Sequence, residues 1–123
     1  MIDLRTQLKT ILKSVHPRVY FQEVPDTAVF PYLTYDFPNI HDDGECFQLV
    51  TLDIDGWDAP ANGDTTALEI LMAAVNTGMN KRSIVTESYA GAFYLETKLS
   101  IFDDDPKIKR RKYTYQGRLF ERS

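Results

Sequence analysis

Residues 93–115 read FYLETKLSIFDDDPKIKRRKYTY, and they combine the clearest strand pattern of the sequence with an abrupt change of charge. In the first half of this stretch, a mostly apolar set of side chains alternates with a mostly polar set. The first set is Phe93, Leu95, Thr97, Leu99 and Ile101, and the second is Tyr94, Glu96, Lys98 and Ser100. Such alternation predicts a strand that packs one face on a core and leaves the other face in water. Three aspartates and Pro106 then predict a turn, and residues 107–120 form a last extended segment.

Upstream of this stretch, two segments have apolar residues at helical spacing. The first stripe is Leu4, Leu8, Ile11, Leu12 and Val15, with Asp3 as a candidate cap and Pro17 at its end. The second stripe is Leu68, Leu71, Met72, Val75 and Met79, and Gly78 and Asn80 stop it. Asp64 or Thr66 can cap this second helix, and Thr66 and Glu69 have capping-box spacing.

Four further strands are predicted at residues 18–24, 32–37, 46–57 and 82–89, with a polar loop at 38–44. The order α-β-β-β-α-β-β-β predicts an α+β fold, in which an antiparallel or mixed sheet packs with two helices. A chain of 123 residues supports one core. We therefore expect a single domain over residues 1–123, in which residues 103–115 form a charged turn and a projecting basic strand.

The charge of the chain is divided between its two parts. Residues 1–106 carry 7 basic and 17 acidic residues, a net charge of −10, whereas residues 107–123 carry 7 basic residues and one acidic residue, a net charge of +6. A protein whose main task is to bind a phosphate backbone tends to be basic overall. The division therefore favours a basic segment that binds an acidic protein surface, such as another copy of the acidic part, over one that binds nucleic acid.

The basic segment poses a packing problem. In an extended chain Lys109 and Arg111 lie on one face with the tyrosines that follow, and Arg110 and Lys112 lie on the other. Positive charge on both faces cannot lie over a core, so the pattern predicts that this half-strand projects as a charged edge or arm. Two alternatives stay open: the charges protect an edge strand from aggregation, or they bind nucleic acid together with the tyrosines.

The sequence contains few candidates for catalysis. Cys46, His16 and His41 lie in no recognisable motif, although nucleophilic catalysis needs a nucleophile beside an oriented base. Two histidines and one cysteine do not supply the usual four ligands of a structural zinc site. The glycines are isolated and form no phosphate-binding loop. We expect no catalytic, metal-binding or cofactor-binding residues, and no enzymatic activity.

One acidic stretch partly matches a calcium-binding loop. Asp53, Asp55 and Asp64 occupy positions 1, 3 and 12 of that template. Trp57 stands at position 5, where a ligand belongs, and Asp58 stands at position 6, where glycine is required. The match fails, and a solvated strand end is the better interpretation. Trp57 lies where the strand enters this loop, so it covers the core or anchors an interface.

Four stretches together resemble the tail-completion family of long-tailed bacteriophages, the tail terminator or tail-to-head joining proteins. They are VYFQEVPDTAVFPYLTYDF (19–37), LVTLDIDGWD (49–58), GDTTALEILMAAVNTGMN (63–80) and DDDPKIKRRKYTYQG (103–117). With the first helix they cover most of the chain in the order that the family shows. Each stretch alone is a weak motif, and the common order carries the resemblance.

The resemblance implies a structural virion protein that caps the tail tube as a homo-oligomeric ring, expected to be a hexamer, and joins the tail to the head connector. Its partners would be other copies of itself, the tail tube protein and head connector proteins, with DNA only as passing cargo and no membrane. The alternatives are another neck or tail component, such as a connector adaptor or tube protein, or a nucleic-acid-binding module.

The resemblance also implies a location at the head–tail junction of the virion, after synthesis in the bacterial host cytoplasm. The single cysteine fits such a reducing compartment. No apolar run reaches the ~20 residues of a membrane span, and charged residues interrupt the first 15 residues, which do not resemble a signal peptide. The candidate interface residues are Asp53, Asp55, Trp57, Asp58, Lys109, Arg110, Arg111, Lys112, Tyr113 and Tyr115.

Overall fold

The computed structural model describes residues 2–42 and 47–122. The helices are α1 (Ile2–Val15) and α2 (Thr66–Met79), and the strands are β1 (Val19–Phe21), β2 (Tyr32–Asp42), β3 (Phe47–Asp58), β4 (Arg82–Val85), β5 (Tyr89–Phe102) and β6 (Lys109–Glu121). The predicted order and the α+β class are confirmed. Neither helix in the described part of the chain is long and apolar enough to cross a membrane.

The six strands form one sheet in the order β1-β2-β3-β6-β5-β4. The pair β1–β2 is parallel and the other pairs are antiparallel, so the sheet is mixed. Both helices pack on one face of this sheet, where the two predicted helical stripes meet Leu33, Ile54, Phe93 and Tyr115 in a single core. We call the opposite face of the sheet the open face.

The boundaries of several elements differ from the predictions. Residues 38–42 of the predicted loop belong to β2, which continues past a register shift beside Asp36, and the rest of that loop lies outside the described residues. The predicted strand at 82–89 ends at Val85. The Thr66–Glu69 capping box does not form, because the Asp64 carboxylate accepts the Thr66 N–H at 2.9 Å and Glu69 pairs with Arg111.

A bulge interrupts the alternation in β5. The register with β6 shifts between Leu95 and Thr97, so that Leu95 lies opposite Tyr115 and Thr97 opposite Thr114. One extra residue moves every following side chain to the other face of the sheet. Leu99 and Ile101 therefore lie on the open face, whereas the simple pattern placed them on the core side with Phe93.

The prediction that the basic strand projects as an edge or arm is wrong. β6 lies in the middle of the sheet and pairs along its length with β3 on one side and β5 on the other. Asp58 lies opposite Lys109, and Asp55 lies opposite Lys112. A central strand can carry positive charge on both faces because carboxylates of the same chain meet those charges, as the side-chain geometry shows.

Candidate functional site

An aromatic and charged cluster occupies the open face where β2, β3 and β6 meet. Arg110 Nε donates to Asp55 Oδ2 at 2.6 Å, and the Arg110 guanidinium lies 4.3 Å from the centre of the Trp57 ring. Trp57 Nε1 donates to Thr34 Oγ1 at 3.0 Å and stacks on Tyr32 with ring centres 6.1 Å apart. The Arg110 side chain is thus held from two directions.

Burial raises the pKa of the Asp55 carboxyl, and the hydrogen bond from Arg110 opposes that rise. The Asp55 side chain is only 7% exposed, so its negative charge depends on Arg110 for compensation. This pair is a structural element of the subunit, in which each partner is costly to remove alone.

Two further basic residues of β6, Lys112 and Arg111, are also paired with carboxylates inside the subunit. Lys112 Nζ lies 3.5 Å from Asp53 Oδ2, and Thr114 Oγ1 donates to Asp53 Oδ1 at 2.7 Å. On the helix side, Arg111 Nε donates to Glu69 Oε1 of α2 at 2.6 Å. The predicted acidic partners therefore exist, but they belong to the same chain.

Both predicted interface tyrosines belong to the core. Tyr115 is fully buried under α2, and its hydroxyl donates to Asn76 Oδ1 at 2.9 Å. Burial raises the pKa of Tyr115. Tyr113 is 7% exposed and lies under Lys98, whose Nζ is 5.2 Å from the ring centre. Neither ring is accessible as an interface anchor, because both point toward the helices.

The remaining predicted interface residues, Trp57, Asp58 and Lys109, also make contacts within the subunit. Trp57 is partly buried, but it covers the open face rather than the core under the helices. Asp58 is buried, and its carboxylate accepts the N–H of Ala59 at 2.8 Å. Lys109 Nζ donates to the carbonyl of Pro106 at 3.0 Å. The structure thus brings Asp53, Asp55, Trp57, Arg110 and Lys112 together on the open face, and separates them from Arg111, Tyr113 and Tyr115.

A groove lies on the open face, at the end of the sheet away from the aromatic and charged cluster, and the sequence gave no indication of it. It has a volume of about 640 Å³, and its lining includes Leu49, Ala92, Tyr94, Gly117, Arg118 and Phe120. Tyr94 is 54% exposed and Phe120 is 44% exposed. The exposed Arg118 guanidinium lies 4.7 Å from the Phe47 ring centre and forms no salt bridge within residues 2–42 and 47–122. We call this feature the groove.

The β5–β6 turn at the other end of the sheet carries an exposed aromatic residue. The Phe102 side chain is 99% exposed, and Asp103, Asp104 and Asp105 follow it. None of the three aspartates forms a salt bridge with a described basic side chain. We call residues 102–105 the tip.

β5 also has an open edge beside the tip. β4 pairs with Ala90–Phe93 only, so no described strand pairs with the outer side of residues 94–102. The side chain of Asn80 covers the first position, where its Oδ1 accepts the Leu95 N–H at 2.9 Å. An open strand edge is a ready surface for contact with another chain.

The residues considered for catalysis lie apart. His16 Nε2 is 2.8 Å from the carbonyl oxygen of Pro31, His41 is exposed on β2, and Cys46 lies outside the described residues. Among the residues that the structure describes, no three histidine, cysteine or acidic side chains lie close enough to hold a metal ion.

No protein-family model matches the chain, and no curated protein does. Among solved structures, the fold is similar to that of a chain in the virion of a native gene transfer agent (GTA) particle. The TM-score is 0.76, and the alignment covers 98% of this chain and 93% of that chain at 12% sequence identity. The two chains therefore share a fold along nearly their whole lengths.

Proposed function

We propose that the protein is a structural subunit of a phage-like virion, and that it completes the tail as a ring which joins the tail to the head connector. The observation that carries this proposal is the shared fold with a chain of the GTA virion, which is a phage-like particle. The match leaves almost no part of either chain unaligned. The order of motifs that resembles tail-completion proteins supports the assignment of this chain to the end of the tail.

The surface of the subunit supports a role in assembly. Phe102, Leu99 and Tyr94 are exposed along the open edge of β5. These side chains lie along an unpaired strand edge, which is a ready surface for contact with another chain. A ring of expected hexameric form would cover such surfaces between copies, while the tail tube protein and the head connector proteins would bind its two ends.

A connector adaptor or a tube protein is the second candidate. The shared fold supports it equally, because the likeness is to a component of a virion and not to a stated position in the tail. The position of the protein in the particle distinguishes these functions.

Particles made without this chain test the proposal. Because a missing tail-completion ring leaves the tail end open, we expect tails of uncontrolled length that carry no heads, seen by negative-stain electron microscopy. Supplying the wild-type chain should restore complete particles. His41→Ala and Cys46→Ser should restore them equally, since the proposal gives neither side chain a chemical role. Complete particles of normal tail length made without the chain would contradict the proposal.

We expect weak binding to duplex DNA, with none measurable at physiological salt by fluorescence anisotropy. Binding to a phosphate backbone relies on Lys and Arg charges, and the charges of Arg110, Arg111 and Lys112 are compensated by carboxylates of their own subunit. Submicromolar binding at physiological salt would overturn this expectation and favour the nucleic-acid-binding alternative. Titration at low salt serves as the control that the assay detects weak electrostatic contacts.

A further inference from the structure

We propose that the tip of one subunit binds in the groove of a second copy of this chain, and that this contact links the subunits head to tail. The inference rests on the proposed ring and names the surface that closes it.

The groove suits an aromatic side chain followed by acidic residues. Its walls are mostly apolar, with half-exposed Tyr94 and Phe120 on the rim. Its charged side chain is Arg118, which stacks on Phe47 and has no described carboxylate partner. The basic residues deeper in the sheet, such as Arg110 and Lys112, are paired already. Arg118 therefore remains available for an incoming carboxylate.

The tip has the complementary chemistry. Phe102 is almost fully exposed, and a phenyl ring gains more than most side chains when it leaves water. Three aspartates follow it directly, and Asp104 and Asp105 are exposed. A phenyl ring with carboxylates beside it matches an apolar groove with a guanidinium on its wall.

The two surfaces of one chain cannot meet each other. Phe102 and Ala92 lie on the same strand, ten positions apart, which corresponds to about 33 Å of strand. The tip must therefore enter the groove of another molecule. A contact between two different surfaces is heterologous, and repeated heterologous contacts close into a ring when the rotation between copies allows it.

A second copy is the favoured occupant because the same chain supplies both halves of the match. Expression of this one protein would be sufficient for the contact. A tail or head protein that presents an acidic aromatic segment is the alternative occupant, and it predicts no effect of the tip on self-association.

Self-association of the purified chain, measured by sedimentation velocity over a range of concentrations, tests the proposal. Phe102→Ala should weaken self-association about tenfold to a hundredfold, and Arg118→Glu about tenfold or more, because it turns attraction into repulsion. Both sites are exposed, so we expect the circular dichroism of each variant to match the wild type. Lys13→Glu, an exposed change on α1, is the matched control and should have no effect.

A mixture of the two variants separates this contact from a symmetric one. Phe102→Ala keeps its groove and Arg118→Glu keeps its tip, so one productive contact remains between them. At a concentration near the dissociation constant of the wild-type contact, we expect each variant alone to be mostly monomeric, and the equimolar mixture to form heterodimers with about the wild-type affinity and nothing larger.

A cross-link keeps the proposal testable if wild-type association is weak. In a Cys46→Ser background, Asp104→Cys in one chain and Ser83→Cys beside the groove in another should form a disulfide-linked pair, whereas Asp104→Cys with Lys13→Cys should not. Self-association that is unchanged in both surface variants would overturn this interface, and copies in a ring would then contact each other through a different surface. Absence of both association and the specific cross-link would also overturn the interface. Neither result bears on the particle experiment, which tests the proposed function separately.

Discussion

Arg110→Glu is expected to lower the free energy of unfolding by about 3 kcal/mol or more, as measured by urea denaturation. Arg110 is the compensating charge for Asp55, which is nearly buried and 2.6 Å away. The substitution replaces an ion pair by two facing carboxylates and removes the guanidinium from the Trp57 ring. The Arg110 charge therefore stabilises the fold of the subunit, because it compensates the Asp55 carboxylate.

Lys107→Glu provides the matched control. Lys107 is an exposed residue just before β6, and its substitution by Glu changes the charge by the same amount as Arg110→Glu. Its free energy of unfolding should stay within about 0.5 kcal/mol of the wild type. An Arg110→Glu variant of wild-type stability that fails only in assembly would contradict this role, and would restore Arg110 as an interface residue.

Tyr115→Ala is expected to cost about 3–5 kcal/mol of the free energy of unfolding. The ring is fully buried between the sheet and α2, so its removal leaves a cavity in the only core of the described chain. Tyr115→Phe keeps the ring and loses the hydrogen bond to Asn76, and it should cost about 1 kcal/mol.

Tyr94→Ala is the comparison for this series, since Tyr94 is a half-exposed tyrosine on the neighbouring strand. We expect a change within about 0.5 kcal/mol for this variant. If Tyr115→Ala had the same small effect, the ring would not be a core residue, and the assignment of the tyrosine side of β6 to the helix-packed face would be wrong.

Patterns that depend on near neighbours in the chain predicted the architecture well. The two helical stripes form the buried faces of α1 and α2, and the alternation in residues 93–95 placed Phe93 in the core. These signals work because a helix or strand repeats its orientation every few residues. The bulge after Leu95 broke the alternation, and nothing in the local sequence marks it, since it depends on the register with β6.

Interactions between distant residues explain the failures. Asp55 and Arg110 are 55 positions apart, and Glu69 and Arg111 are 42 apart. The sequence does not show that β3 and α2 lie next to β6. The basic stretch therefore had no visible acidic partner in its own chain, and a projecting arm was the simplest interpretation. The groove was hidden for the same reason, because its lining comes from residues as far apart as Leu49 and Phe120. The tip was visible in the sequence as a phenylalanine before three aspartates, but its exposure was not.

A cryo-electron microscopy reconstruction of intact particles assembled with this chain would locate the subunit in the virion and so test the proposed tail-completion role. We expect a closed ring of this fold at the head-proximal end of the tail tube, with the two helices and the six-stranded sheet of each subunit recognisable. Density for the fold along the tube, in the head connector or nowhere in the particle would contradict it.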